Sequence, residues 1–382
     1  MIIRQVVPSL ERQHGGPSRS VRALALAQAR LGHDVSLLAT DPAAPEAGTS
    51  SSEDTLRLRI FRRNWPGRLS WSQGLSANLK ADRPDVVHHH ALWLRTLHYA
   101  HHAARANGAQ LVLSPRGMMS PWAWNHHRFR KALAARLLHP GALEAVNGWH
   151  ATSVQEARDI AALGFRQPVC VAPNGVDAPS AEATAAAREH WKSRIPTSEN
   201  GRVALFYSRL HRKKRLMELL ELWARLSPPD WRLLIVGIPE EYSVAEVSAR
   251  ISALGLQSRA TVHDGTAAPA PYVCASLFLL PSHDENFGLS IAEAMAAGLP
   301  VVVTDTTPWS GVNAQGFGWC VPWSTYPTAL SAALACHAAE LRNRGEQSRI
   351  WILENFSWEK SASKLLGFYA ELRRSLASEA RA

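Results

Sequence analysis

The stretch Leu277–Val303, LFLLPSHDENFGLSIAEAMAAGLPVVV, decides how the rest of the chain is read. Leu277 to Leu280 form a short apolar run with the length of a buried strand, and a polar loop follows. Leu289, Ile291, Ala292 and Met295 then begin a helix, and a second apolar run stands at Val301–Val303. Strand, loop, helix and strand in that order make a parallel β-α-β unit. Glu285 falls in the loop leaving the first strand, and Glu293 about one turn into the helix. Both acids therefore face the crevice at the carboxyl end of a parallel strand, where open α/β sheets bind ligands.

The same alternation runs outward in both directions. Upstream, β-like runs at Ile2–Val7, Val35–Ala39, Val86–His90, Leu111–Ser114, Trp149–Thr152 and Val169–Ala172 alternate with helical stretches such as Ser18–Leu31 and Thr96–Asn107. The pattern restarts at Val203–Tyr207 and continues through Leu233–Val236, Ala260–His263, Leu277–Leu280 and Val301–Val303, with a helix expected over Lys214–Leu226. Two doubly wound α/β domains are predicted. Their junction is the turn PNGVD at Pro173–Asp177, followed by an Ala-rich linker, Ala178–Ala187, that enters a helix. The expected division is 1–176, 177–355 and a helical tail at 356–382, with a return of that tail to the first domain left open.

With 382 residues, 46% hydrophobic and 19% charged, the chain has the make-up of a globular protein with a large core. Cys170, Cys274, Cys320 and Cys336 include no C-x-x-C pair and read as small buried apolar residues in a reducing compartment. The opening MIIRQVVPSL is too short for a signal-peptide core, and no run reaches a membrane span, so a cytoplasmic location is expected. The net charge of +10 is uneven: residues 1–176 hold 21 Lys and Arg against 11 Asp and Glu, and the remainder holds 21 of each. Thr55–Ala81 has six cations and no acid, and Arg116–Pro140 has five and none. An anionic partner for the first half is one explanation; a solubilising excess is the other.

Several groups in order resemble the group 1, or family 4, retaining glycosyltransferases of GT-B fold. They are HGGPSRSV (His14–Val21), LGHDV (Leu31–Val35), PDVVHHHALW, SPRGMMSPW (Ser114–Trp122), HATS (His150–Ser153), PNGVD, SRLHRKK (Ser208–Lys214) and ENFGLSIAE. Together they look like a branch associated with bacterial surface and exopolysaccharide assembly. The resemblance implies two Rossmann-like domains facing a central cleft, an acceptor-binding first half and a donor-binding second half. It implies a metal-independent transferase (EC 2.4) that needs no cofactor beyond a nucleotide diphosphate sugar. The sugar would move with retention to a growing saccharide, with polyprenyl diphosphate as the expected carrier.

The residues make chemical sense for that reaction. A departing diphosphate develops negative charge, and Arg209 and Lys214, five apart across a strand-to-helix turn, can supply two cations. Helix amides beyond Asn286, Phe287, Gly288 and Leu289 aim partial positive charge at the same place. By the resemblance, Arg209 and Lys214 hold the donor phosphates, Glu293 the ribose and Glu285 the transferred sugar. Arg209, Lys214 and Glu285 are thus the expected catalytic set. The neighbouring Arg212, Lys213 and Arg215 read equally as a solvated basic turn, and Arg215 stands where the family usually has glycine. Gly15 and Gly16 would let a loop approach the donor phosphate, although a plain strand-to-helix loop explains GGP nearly as well. On the acceptor side, His90 ends a strand near the expected cleft, with only one face of His88–His90 expected to point inward. Arg116 occupies a place where relatives carry histidine; it cannot act as a base and instead grips a phosphate or carboxylate.

Two other classes compete. A nucleic-acid-binding protein would explain the basic half, but no DNA or RNA module signature is present. A nicotinamide oxidoreductase would suit the sheets, but G-x-G-x-x-G after the first strand is missing. The His pairs at 101–102 and 126–127 lack carboxylate partners, so no metal site is expected. Finally, Asn125–Leu138, NHHRFRKALAARLL, sets Phe129, Leu133 and Leu137 on one helical face among Arg128, Arg130, Lys131 and Arg136, with Trp122 and Trp124 before it. That face fits either the core of the first domain or an anionic membrane surface, the latter implying a protein peripheral to the inner face of the cytoplasmic membrane.

Overall fold

Two parallel sheets organise the chain in the computed structural model, which describes residues 1–11, 16–45, 48–126, 128–195 and 202–379. One unit comprises Met1–Gly175 and Phe356–Ala382, the other Val176–Asn355. In the first unit the strands are β1 (Ile2–Val6), β2 (Asp34–Asp41), β3 (Thr49–Glu53), β4 (Leu56–Arg62), β5 (Val86–His90), β6 (Gln110–Ser114), β7 (Gly148–Ala151) and β8 (Val169–Val171). They are ordered β3-β4-β2-β1-β5-β6-β7-β8 and are parallel except for the β3–β4 pair. The second unit contains β9 (Arg202–Leu210), β10 (Trp231–Pro239), β11 (Ala260–Asp264), β12 (Leu277–Leu280), β13 (Val301–Thr304) and β14 (Gly318–Val321). Their order is β11-β10-β9-β12-β13-β14, all parallel.

Near-continuous apolar strands mark sheets covered on both faces. β12 and β13 are wholly buried, and so is β5, whose sequence is VVHHH. All three histidines of β5 are therefore inside, which corrects the expectation that only one face points inward. His88 and His90 lie on one side of the sheet and His89 on the other, where its Nε2 meets Thr96 Oγ1 at 2.9 Å. The helix Leu216–Leu226 buries Leu216, Leu219, Leu220, Leu222 and Trp223 along one stripe, each contributing about 1.5–3 kcal/mol or more of transfer free energy.

Several boundaries depart from the sequence pattern for local reasons. The hairpin β3–β4 escaped notice because TSSSE has no apolar residue and LRLRIFR interleaves arginines. The helix expected from Lys214 begins at Leu216, because Arg215 holds a left-handed conformation at φ 51°. The stretch read as a linker through Ala187 is helical from Ala181 to Lys192. Cys170 and Cys320 are buried as expected, but Cys274 and Cys336 are partly exposed.

The last helix, Trp358–Glu379, packs in the first unit against the helix Gly16–Arg30. Phe368 and Leu372 from it occupy the space beside Gly148, where a Cβ would come within 2.5 Å of the Phe368 ring. Glycine at that strand position is what lets the helix dock. Among the described residues no helix is long and apolar enough to cross a membrane.

Candidate active site

β9 and β12 are adjacent although β10 and β11 lie between them in sequence. The connections leave these two strands toward opposite edges, and the carboxyl ends of strands at such a switch point form the ligand crevice of open α/β sheets. Arg209 is the penultimate residue of β9, and Lys214 ends the short 3-10 turn Arg212–Lys214. The loop after β12 carries Glu285, Asn286, Phe287 and Gly288. The structure thus brings the predicted cations and the predicted acids to one strand edge.

Hydrogen bonds fix that edge. The Ser282 carbonyl accepts from Thr304 Oγ1 at 2.6 Å and Thr306 Oγ1 at 2.7 Å. The His283 amide donates to the Lys213 carbonyl at 2.7 Å, tying the loop to the basic turn. Lys214 is 6% exposed, and its Nζ donates to Glu285 Oε1. Burial lowers the Lys214 ammonium pKa, against the pull of Glu285. Burial also pushes the Glu285 carboxyl up, but the Lys214 charge, with hydrogen bonds from Lys214 and Ser282, outweighs it and holds the acid below its ordinary value. Arg209 Nη1 bonds Glu240 Oε1 at 2.8 Å in a more open setting. Arg212 pairs with Glu241 and Lys213 with Asp284.

The helix Leu289–Ala296 is capped by Gly288, which sits at φ 74°, a conformation that favours glycine, and a Cβ there would press on Ile291 Cδ1 at 2.8 Å. Phe287 is buried against Trp309, whose Nε1 donates to the Phe287 carbonyl at 2.6 Å. This turn aims the positive end of the helix at the strand edge. Leu289 is the first helical residue, and Glu293, one turn on, accepts from Tyr272 Oη at 2.8 Å. Arg215 fills the left-handed position that favours glycine, with its guanidinium over the Trp323 ring at 4.8 Å.

In the first unit Gly15 lies outside the described residues, and Gly16 is the first residue of the helix Gly16–Arg30, with open space around it. Arg116 follows β6 with φ 54°. The amide of Gly117 beside it donates to Glu156 Oε1 at 2.6 Å, which secures the strained turn. Arg116 Nη1 donates to Asn174 Oδ1 at 2.7 Å and Nη2 to His90 Nδ1 at 3.1 Å. Among the described residues no carboxylate lies within ion-pair distance of this guanidinium, and burial lowers its pKa to about 10. His90 is 0% exposed and lies behind Arg116, so it supports the arginine and presents no face of its own to solvent. His88, His90 and His150 bring ring nitrogens within 4.8 Å of one another, a grouping the sequence analysis did not foresee.

Comparison with known proteins fits this geometry. The family Glycosyl transferases group 1 matches residues 187–336, and Glycosyltransferase Family 4 matches residues 14–179. The chain belongs to the group 1 glycosyltransferases of family 4. This family member is 26% identical over 370 residues to a GDP-mannose-dependent alpha-mannosyltransferase of Mycolicibacterium smegmatis, covering 91% of this chain and 92% of that one. It is 33% identical over 116 residues to the GDP-mannose:cellobiosyl-diphosphopolyprenol alpha-mannosyltransferase of Xanthomonas campestris, a match spanning 28% of this chain and 30% of that enzyme. Among solved structures, a sucrose-phosphate synthase from Thermosynechococcus elongatus superposes with a TM-score of 0.75 at 19% identity, over 98% of this chain and 100% of the other. The two doubly wound parallel-sheet units are those of the GT-B fold.

Four residues of these surroundings went unread in the sequence. Tyr272 bonds the predicted Glu293 and Tyr369 bonds His88 from distant elements, with no local pattern to announce either, while Asn174 of the PNGVD turn was read as part of a junction and not as a partner of Arg116. Glu156 had a signal: it stands three residues after Ser153, the spacing of a helix-start acid, yet it reaches back to the SPRG turn.

Proposed function

We propose that this glycosyltransferase moves a hexosyl group from a nucleotide diphosphate sugar held by the second unit to a saccharide acceptor received by the first. The observation that carries the reading is the gathering of Arg209, Lys214, Glu285 and Glu293 at the switch point between β9 and β12, beside a helix start. Arg209, Lys214 and the first amides of the helix Leu289–Ala296 stabilise the leaving diphosphate. Glu293 orients the ribose and Glu285 the transferred sugar, each accepting from hydroxyls. Gly15 and Gly16 let the loop after β1 approach the donor. With protein cations and amides facing the diphosphate, transfer proceeds without added divalent metal or another cofactor. It proceeds with retention, the acceptor hydroxyl attacking on the face the diphosphate leaves while a phosphate oxygen takes its proton. GDP-mannose is the first donor to test, because three relatives carry it in their names.

The acceptor is a saccharide on a polyprenyl diphosphate, as the name of the Xanthomonas relative supports, and it serves assembly of a surface or exopolysaccharide. Arg116 grips an anionic group of this acceptor. The enzyme works as a peripheral protein at the cytoplasmic face of the membrane, where the helix Arg128–Leu138 docks. Phe129, Leu133 and Leu137 are 77%, 58% and 61% exposed, so this apolar face is not spent on the core. Residues 86–143 hold seven Lys and Arg and no carboxylate, which suits anionic headgroups.

The test is a transfer assay with GDP-mannose, UDP-glucose and ADP-glucose, with product anomers read by NMR. An α-linked product from an α-linked donor, formed in EDTA, is expected; an inverted product or strict dependence on Mg²⁺ overturns the mechanism. For docking, the chain should sediment with anionic liposomes at low salt and release as salt rises. Arg130→Glu with Arg136→Glu should abolish sedimentation and leave donor binding intact. Undiminished sedimentation of that variant overturns the membrane assignment.

A further inference from the structure

Buried polar side chains in the first unit form a chain of hydrogen bonds whose direction can be worked out atom by atom. Arg116 can only donate, so His90 Nδ1, which receives it, carries a lone pair. His90 is a neutral imidazole with its proton on Nε2, and that N–H donates to Gln5 Oε1 at 2.6 Å. With Gln5 presenting its oxygen to His90, its Nε2 donates to Gln28 Oε1 at 2.7 Å. Gln28 Nε2 in turn donates to Tyr369 Oη at 3.3 Å. The phenol then turns its own proton to His88 Nδ1, 2.7 Å away. His88 is therefore protonated on Nε2. On the neighbouring strand, His150 Nε2 donates to the Ala172 carbonyl at 2.9 Å, which leaves a lone pair on Nδ1.

The chain ends in two complementary atoms. His88 Nε2 is a buried donor and His150 Nδ1 a buried acceptor, and among the described residues neither has a partner. Their rings are T-shaped to one another with centroids 5.2 Å apart. Orphaned buried polar atoms are costly, about 1–3 kcal/mol each, and a water that accepts from one and donates to the other relieves both. A divalent metal is the competing occupant. It suits the arrangement less well, because both His90 nitrogens are already engaged and the Arg116 guanidinium bears on the same histidines.

We infer that Arg116 sets the polarity of this whole chain, passed through His90, Gln5 and Gln28 to Tyr369 of the last helix and on to His88, and that one enclosed water bridges His88 and His150. The geometry has a use. Arg116 spends Nε and one proton each of Nη1 and Nη2 on His90 and Asn174, which leaves one further proton on each terminal nitrogen for a phosphate or carboxylate. A neutral imidazole behind it supports the guanidinium without neutralising it, as a carboxylate would. The role of that fork toward an acceptor rests on the proposed glycosyl transfer; the pattern of tautomers does not.

The experiment is long-range ¹H–¹⁵N NMR of the histidine-labelled full chain between pH 6 and 8. His88, His90 and His150 should all be neutral Nε2–H tautomers that do not titrate in this range. A His90 protonated on Nδ1, or an imidazolium at any of the three, overturns the inference. Arg116→Met removes the donor that sets the direction, so His88 and His90 should shift toward tautomer mixtures while His150, fixed by the Ala172 carbonyl, stays unchanged. Unchanged His88 and His90 signals in that variant also overturn it. If Arg116→Met does not fold, Tyr369→Phe cuts the chain at its other end: His88 Nδ1 should move strongly, and His90 should keep its Nε2 proton under Arg116. A His88 signal indifferent to the loss of the phenol counts against the chain. One equivalent of Zn²⁺ retained by the wild type through dialysis and lost in His150→Ala would replace the water with a metal.

Discussion

The cations at the two predicted sites are held in opposite ways. In the second unit Arg209, Arg212, Lys213 and Lys214 each face a carboxylate, respectively Glu240, Glu241, Asp284 and Glu285. In the first, Arg116 hydrogen-bonds an imidazole and an amide, and the Glu156 carboxylate, bonded to the neighbouring Gly117 amide, acts on it only through its field. A cation paired with an acid is stable without ligand but has its charge partly spent. One whose hydrogen-bond partners are neutral has less of its charge offset by direct contact and depends on those hydrogen bonds to stay buried. The difference suits a site that must respond when a diphosphate arrives, against one kept permanently ready for an anion.

The largest effect should come from breaking the most buried pair. Lys214→Ala leaves Glu285 nearly buried and unpaired, which costs about 3–5 kcal/mol in stability. With Lys214 holding the diphosphate as proposed, it also loses a charge-assisted contact worth about 1.5–3 kcal/mol in the transition state, so turnover should fall by one to two orders of magnitude at a temperature where the variant is still folded. Chemical denaturation together with initial rates measures both. A variant as stable and active as the wild type would erase the contrast between the units.

Acid should separate them next. Burial lowers His89 and His150 from 6.5 to about 3, and His88 and His90 well below 6.5. Below pH 6.5 the unfolded chain binds protons that the folded chain refuses, so stability is full above that value and falls as pH drops. The loss is about 1.4 kcal/mol per pH unit for each such histidine until its folded pKa is reached. Hydrogen exchange at pH 7 and pH 5 should show the first unit losing protection first. Equal loss in both units would mean that the histidine cluster is better solvated than its burial implies.

The smallest effect is reserved for the exposed pair. Glu240→Gln frees Arg209, but a pair this open is worth no more than about 1 kcal/mol. Stability should hardly change, and donor affinity should rise by at most a few fold. A large loss of activity would give Glu240 a role of its own.

Much of this was legible in the sequence because periodicity and turn chemistry act locally. LFLL, ENFG and VVV announced strand, helix start and strand, and the structure has each of them in place. Arg209, Lys214 and Glu285 stand near strand ends in the sequence pattern, and the structure has them there; their expected roles came from the resemblance. The unread parts are those set by other segments. Whether Phe129 faces core or solvent depends on what packs beside the helix, and periodicity is the same in both cases. His90 looked like a ligand contact because it ends a strand, but Arg116, in the turn after the neighbouring strand, bonds its Nδ1. Tyr369 is brought to His88 by a helix that enters the sheet region 281 residues later in sequence, and nothing near either residue records that meeting.

Donor binding by the second unit at the carboxyl ends of β9 and β12 is the centre of the proposed function. Isothermal titration of GDP, UDP and ADP into the wild type, Lys214→Ala and Glu293→Ala tests this most directly. One nucleoside diphosphate should bind the wild type, and each substitution should weaken that binding by roughly tenfold or more, the scale of one lost charge-assisted contact. Binding that is absent for all three nucleotides, or that survives unchanged in both variants, would contradict it.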